Sequence, residues 1–227
     1  MIDRIQAFGD SFIYGTDLSD CKNKQGIGGE HSLLTWPALI SKKLNLTYEC
    51  YAEAGRGNSS ILANVLAHSK KNSLIVINWS WIDRFDHHFS DFIWPEVISP
   101  DDSELSRYYY KNIHTELDDK FRNLTMIYAT QQYLKSKGCS FISTFMDKLI
   151  LDNKFHSPKF VSILQKQIKK DLKTFPKGQT FLEWSRANNY SESEGWHPLE
   201  RAHEKAAEYW LPIYQQAINT HTATTKD

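Results

Sequence analysis

The stretch SLIVINW, Ser73 to Trp79, constrains the fold more than any other part of the chain. A short apolar run rich in β-branched residues and bounded by polar ones suits a strand buried on both faces, as inside a parallel sheet. CSFISTF, Cys139 to Phe145, reads the same way, and the weaker RIQAF and TYECYA supply a first and a second strand. Between these runs the apolar period lengthens. TWPALISKKLN and NSSILANVLAHS are helical, the second opening on good capping residues. Glu116 to Lys137 keeps Leu117, Phe121, Leu124, Tyr128 and Leu134 near one face, and Lys159 to Phe175 does so with Phe160, Leu164, Ile168 and Leu172. A last helix opens with Pro198 in its first turn, where proline costs no hydrogen bond, and stripes Leu199, Ala202, Ala206, Trp210 and Tyr214. Strands alternating with helices predict an α/β fold with a parallel sheet covered on both faces.

The 227 residues suffice for one sizeable core, so a single domain is expected over 1–218. It carries an aromatic insertion at about 84–112, and 219–227 (NTHTATTKD) read as a disordered tail. Lys plus Arg equal Asp plus Glu at 27 each, which gives no overall attraction to nucleic acid or to an anionic membrane, and neither partner is expected. Three scattered cysteines, Cys21, Cys50 and Cys139, form no CxxC pair and read as reduced thiols. With no apolar run of signal-peptide or membrane-spanning length, the expectation is a soluble cytoplasmic protein.

In such sheets chemistry collects beyond the carboxyl ends of the strands. Gly9-Asp10-Ser11 follows the first strand. AEAGRGNSS, with Gly55, Gly57 and Asn58, follows the second, and NWSWIDR, with Asn78, Ser80 and Asp83, completes the third. SEGWHPLERAH, with Glu194, His197 and His203, precedes the last helix. A serine hydroxyl is a poor nucleophile until a base takes its proton, and the imidazole of His197 can do so near neutral pH. Glu194, three residues earlier, is the candidate acid to hold the other ring nitrogen.

In order along the chain these blocks resemble the SGNH/GDSL hydrolase family. That family carries GDS after its first strand, a glycine block after its second, GxND after its third and DxxHP before its last helix. Here GDSF, GRGN, NWSW and EGWHP stand in those places, and His203 fits the HPxxxGH form with Ala202 in place of the glycine. The resemblance implies a three-layer α/β/α sandwich on a flavodoxin-like, mostly parallel, five-stranded sheet. It also implies a cofactor-free, metal-free serine esterase with Ser11 as nucleophile, His197 as base and Glu194 as the acid where the family has aspartate. The oxyanion would be held by the backbone N–H groups of Ser11 and Gly57 and by a side chain of the third block. Aligning NWSW on GxND puts Ser80 at the asparagine and Trp81 at the aspartate. Ser80 is then the first candidate donor, Asn58 the second and Asn78 the third, while Asp10 buttresses the loop.

The expected substrate is a small-molecule or glycan acyl ester, such as an O-acetylated carbohydrate. Transfer of the acyl group to a sugar hydroxyl, or carbohydrate binding without catalysis, are the alternatives. Trp81 and Trp196 are the candidate pocket residues. The aromatic insertion, with Phe85, Phe89, Phe92, Trp94 and Tyr108 to Tyr110, suits either a roof over the crevice or a packed flap or oligomer contact. DHHFSD, with His87 and His88 between Asp86 and Asp91, lacks a ligand-spaced partner set and is read as no metal site. Lys166, Lys169, Lys170 and Lys173 read as a solvated helix face.

Overall fold

The computed structural model describes residues 1–23, 30–87, 96–98, 103–155 and 157–224. Four parallel strands form its sheet: β1 (Arg4–Phe8), β2 (Thr47–Cys50), β3 (Ser73–Trp79) and β6 (Ser140–Phe145), in the order β2-β1-β3-β6. Leu74 to Trp79 pair with Ser140 to Phe145, and Arg4 to Phe8 with Ser73 to Ile77. Every residue of β3 is buried, as its unbroken apolar run requires, whereas the edge strand β2 is half-exposed. A separate antiparallel pair, β4 (Phe85–His87) and β5 (Glu96–Ile98), belongs to the insertion.

The period of two along each strand sorts the core into two layers. Ile5, Ala7, Leu74, Val76 and Ile142 face α2 (Trp36–Leu44), α7 (Phe181–Ala187) and α8 (Glu200–Thr224), where Trp36, Phe181, Trp210 and Tyr214 are buried. Phe8, Ile75, Ile77 and Trp79 face α3 (Asn58–His68), α5 (Glu116–Ser136) and α6 (Lys159–Ile168), through Val65, Ile127 and Ile168 among others. The described residues also form a single turn α1 (Ser11–Tyr14) and α4 (Glu104–Asn112) in the insertion. The architecture is the expected α/β/α sandwich.

Four expectations change. The fifth strand is reduced to one parallel bridge, Ser143 with Leu172, beside which the Lys173 amide donates to the Ser143 carbonyl (2.7 Å). The helix expected to reach Phe175 stops at Ile168, and Pro176 ends the extended stretch that follows, so a full strand has no room to form. Pro198 lies before α8 rather than in it, bridged to Glu192. The supposed tail is helical through Thr224, because α8 runs on past Pro212. Among the described residues no helix is long and apolar enough to cross a membrane.

Candidate active site

The chain leaves β1 by way of Asp10, whose side chain accepts the Phe12 amide (3.1 Å) and caps the single turn of α1. This places Ser11 at the first helical position, directly beyond the strand. It is also the switch point of the sheet, where connections leave β1 toward β2 on one side and β3 lies on the other. Gly15 ends the turn at φ 78°, a left-handed conformation that costs glycine little, and sends the chain back toward the site.

Ser11 Oγ lies 2.8 Å from His197 Nε2, and His197 Nδ1 lies 2.6 Å from a carboxylate oxygen of Asp17. A carboxylate only accepts, so Nδ1 carries the proton and Nε2 is left to accept from the serine hydroxyl. The acid at Nδ1 is therefore Asp17 and not Glu194. Glu194 occupies the second position of the turn in which the Trp196 amide donates to the Ser193 carbonyl (3.0 Å), and it is exposed to solvent. The same corner supports the Ser11–His197–Asp17 hydrogen bonds differently. Ser193 Oγ donates to the same Asp17 oxygen (2.5 Å), and a side chain on Gly195 would stand 3.1 Å from it. Phe12 meets the imidazole edge-on at 4.9 Å, and Glu200 accepts the Ser19 amide (2.8 Å), tying the Asp17 loop to the start of α8.

His203 belongs to the support of this corner. Its Nδ1 accepts the Trp36 amide at the start of α2 (3.2 Å), and its ring stacks on Trp36. Complete burial, with Glu200 opposing it only in part, pushes its pKa down to about 3, so it stays neutral.

The far side of the crevice is bound up in itself. Asp10, fully buried, accepts from Ser80 Oγ (2.8 Å) and Arg84 Nη1 (3.2 Å). Asn58 accepts the Ser80 amide (2.7 Å) and donates to the Ser80 carbonyl (3.1 Å) and to Asn123 (2.6 Å). Asn78 lies within β3 and accepts from Thr144 (2.8 Å). The Gly57 amide donates to Asp86 (2.7 Å), whose other oxygen accepts the Ser60 amide and Ser59 Oγ (both 2.8 Å). Asp86 thus caps α3 from outside, an anion at the positive end of the helix dipole. The side chains of Ser80 and Asn58 and the Gly57 N–H all have internal partners. Of the expected oxyanion donors, the Ser11 N–H and the Asn78 side-chain amide nitrogen have no partner among the described residues, and Asn78 is buried within β3.

A cavity of about 400 Å³ opens beside His197, lined by Phe12, Trp81, Arg84, Leu182, Arg186, Gly195, Trp196 and His197. Both candidate pocket tryptophans are on its wall. Trp196 is 69% exposed and held at φ 63°, a strained conformation for a bulky residue. A second groove of about 430 Å³ lies at the opposite end of the sheet, beside Cys139 and Ser140, away from the serine.

The described part of the aromatic insertion packs on itself. Phe85 stacks on Tyr109 (4.7 Å), Arg122 covers the Phe85 ring (4.8 Å), and Tyr110 donates to the Asp83 carbonyl (2.6 Å). Phe89, Phe92, Trp94, His88 and Asp91 lie outside the described residues. Among those described, no group of three or more metal-ligating side chains occurs.

A parallel sheet of this order, with a serine beyond β1 and its histidine just before the last helix, is the SGNH hydrolase fold. Solved structures with this fold include TesA, 15% identical over 94% of this chain and 99% of that one at a TM-score of 0.55. The esterase EstA from Pseudoalteromonas sp. is 10% identical over 96% and 99%, at 0.53. A carbohydrate esterase whose active site is described as having divergent catalytic and non-catalytic binding functions is 15% identical over 94% and 68%, at 0.52. At such identities the likeness is one of fold. No family model matches the sequence, and no curated protein sequence matches it significantly.

Proposed function

We propose that the protein is a serine hydrolase that cleaves acyl esters with Ser11, His197 and Asp17. The observation that carries this reading is the continuous relay of hydrogen bonds, 2.8 Å from Ser11 to His197 and 2.6 Å from His197 to Asp17. Ser11 Oγ attacks the ester carbonyl while His197 Nε2 takes its proton, and the carbonyl electron pair moves onto oxygen. Collapse of the tetrahedral intermediate expels the alcohol, which receives that proton from His197. Water, deprotonated by the same nitrogen, then attacks the acyl carbon, and the acid leaves as Ser11 Oγ takes the proton back from His197. Asp17 holds the imidazole in the required tautomer and stabilises the imidazolium throughout.

The cavity bounded by Trp81 and Trp196 suits the face of a sugar ring, which favours an O-acylated carbohydrate as substrate. A sugar hydroxyl in place of water would make the same triad an acyltransferase. Carbohydrate binding without catalysis is the second reading, favoured by the Gly57 N–H being taken up by Asp86. A fluorophosphonate separates them, with the adduct located by peptide mass. Labelling of Ser11 that disappears in His197→Ala supports the hydrolase; an unlabelled Ser11 at any pH leaves the binding reading.

A further inference from the structure

We propose that Arg84 is the side-chain oxyanion donor of this site, taking the place of the amide that the third block lacks. This rests on the hydrolase reading above. Three of the groups expected to face the oxyanion are committed elsewhere: Ser80 Oγ to Asp10, the Asn58 side chain to Ser80 and Asn123, and the Gly57 N–H to Asp86. Asn78 keeps an unpartnered amide nitrogen but is buried within β3. A tetrahedral oxyanion held by the Ser11 N–H without a side-chain donor would lack much of its stabilisation, since each donor contributes on the order of 10² to 10³ in rate.

Arg84 lies at the junction of the loops that carry these groups, on the wall of the cavity beside His197. Its Nη1 lies 3.2 Å from Asp10, 3.2 Å from the Arg56 carbonyl and 2.8 Å from Ser80 Oγ. Those contacts belong to the residue before Ser11, the residue before Gly57 and the residue after β3. One corner of the guanidinium therefore joins all three loops at the carboxyl ends of β1, β2 and β3. Nε and Nη2 have no acceptor among the described residues, the side chain is 24% exposed, and Arg84 shares the cavity wall with Phe12 and His197. The cavity's other arginine, Arg186, instead turns Nε and Nη2 onto Glu192.

The clamp and the donor role are compatible because they use different nitrogens of one rigid fork. The buried Asp10 carboxylate fixes the guanidinium before substrate arrives, which is what makes a donor effective against charge that develops only in the transition state. When Ser11 Oγ bonds to the carbonyl carbon, the π pair moves onto oxygen, and that oxygen accepts hydrogen bonds from Ser11 N–H and Arg84. No proton passes from the arginine, which remains cationic. The carboxylate of Asp86 over the Gly57 amide then marks a site in which the helix end has been replaced by a side-chain cation.

The rate of Ser11 phosphonylation by a neutral alkyl fluorophosphonate measures this without knowledge of the natural substrate. Arg84→Ala is expected to lower the maximal labelling rate about 10²- to 10³-fold while half-saturation by the probe stays unchanged, and added guanidinium is expected to restore part of the rate. Arg84→Lys keeps a cation without the fork and is expected to fall between, about 10-fold down, with the thermal transition of the parent. An unlabelled wild-type protein overturns the hydrolase reading itself. Wild-type labelling with undiminished rates in the variants overturns only the role of Arg84. So does a loss confined to half-saturation, or one that guanidinium fails to restore in folded Arg84→Ala. Should Arg84→Ala not fold, an undiminished rate in Arg84→Lys overturns the role equally.

Discussion

The two sides of the crevice solve opposite problems. On the side of the proposed nucleophile, His197 stands 180 or more residues beyond Ser11 and Asp17 in sequence, yet Ser11, His197 and Asp17 hydrogen-bond one to the next at 2.6–2.8 Å. On the electrophile side Gly57, Asn58 and Ser80 lie closer together in sequence, and all of them point into the protein's own hydrogen bonds. The lesson is that a block of residues matching a motif by position need not share its orientation. The half with Ser11 and His197 borders the cavity, while the other half spends its groups on holding loops and leaves Arg84 on the cavity wall.

The largest effect tests the open half. Ser11→Ala and His197→Ala are each expected to lower ester turnover by about 10⁶, and the double variant hardly further, because the two act as one unit. Additive losses would mean that the 2.8 Å contact is structural. Next comes the identity of the acid. Asp17→Asn keeps the shape but favours the wrong imidazole tautomer, and is expected to cost about 10³ to 10⁴ in turnover. Glu194→Gln is expected to leave it unchanged. The reverse result would restore the acid three residues before the histidine and break the comparison at its firmest point.

Why that acid was hidden is a matter of turn geometry. The strands and most helices are legible because burial imposes a period, and SLIVINW became the fully buried β3 for that reason. Ser11 and His197 are legible too, since each stands beside an element whose end the sequence marks. Asp17 carries no such mark. It reaches His197 only because Gly15 turns the chain back at φ 78° and Glu200 pins the Ser19 amide, neither of which a spacing rule detects. Glu194 has the right spacing but sits where its turn faces solvent. The Asp86 cap on α3 is likewise invisible, because 29 residues and a strand separate the carboxylate from the amide it accepts.

That cap supplies the third test. Asp86→Ala removes the acceptor of the Gly57 and Ser60 amides and the anion at the helix end, and is expected to cost about 1–2 kcal/mol of stability in urea unfolding. The Ser11 labelling rate should not fall, because the carboxylate serves the fold rather than the chemistry. A fall in labelling without a loss of stability would give the closed side of the crevice a direct part in the reaction.

The smallest effect concerns what stands behind the open half. His203 is held neutral in the fold to about pH 3, whereas in the unfolded chain it takes up a proton below about 6.5. Between those values the unfolded state binds the extra proton, so stability falls as pH drops, with a limiting slope of about 1.4 kcal/mol per pH unit. By pH 5.5 the loss from this residue alone should be about 1 kcal/mol. Other histidines contribute to the measured curve, so the informative quantity is the difference between the parent and His203→Gln, whose amide oxygen can still accept the Trp36 N–H without titrating. That difference should shrink as pH is lowered from 7 toward 5. A constant gap would mean that His203 is hydrated enough to charge in the folded state. The corner carrying His197 would then loosen together with the base it supports, and the two sides of the crevice would differ less than their hydrogen bonds suggest.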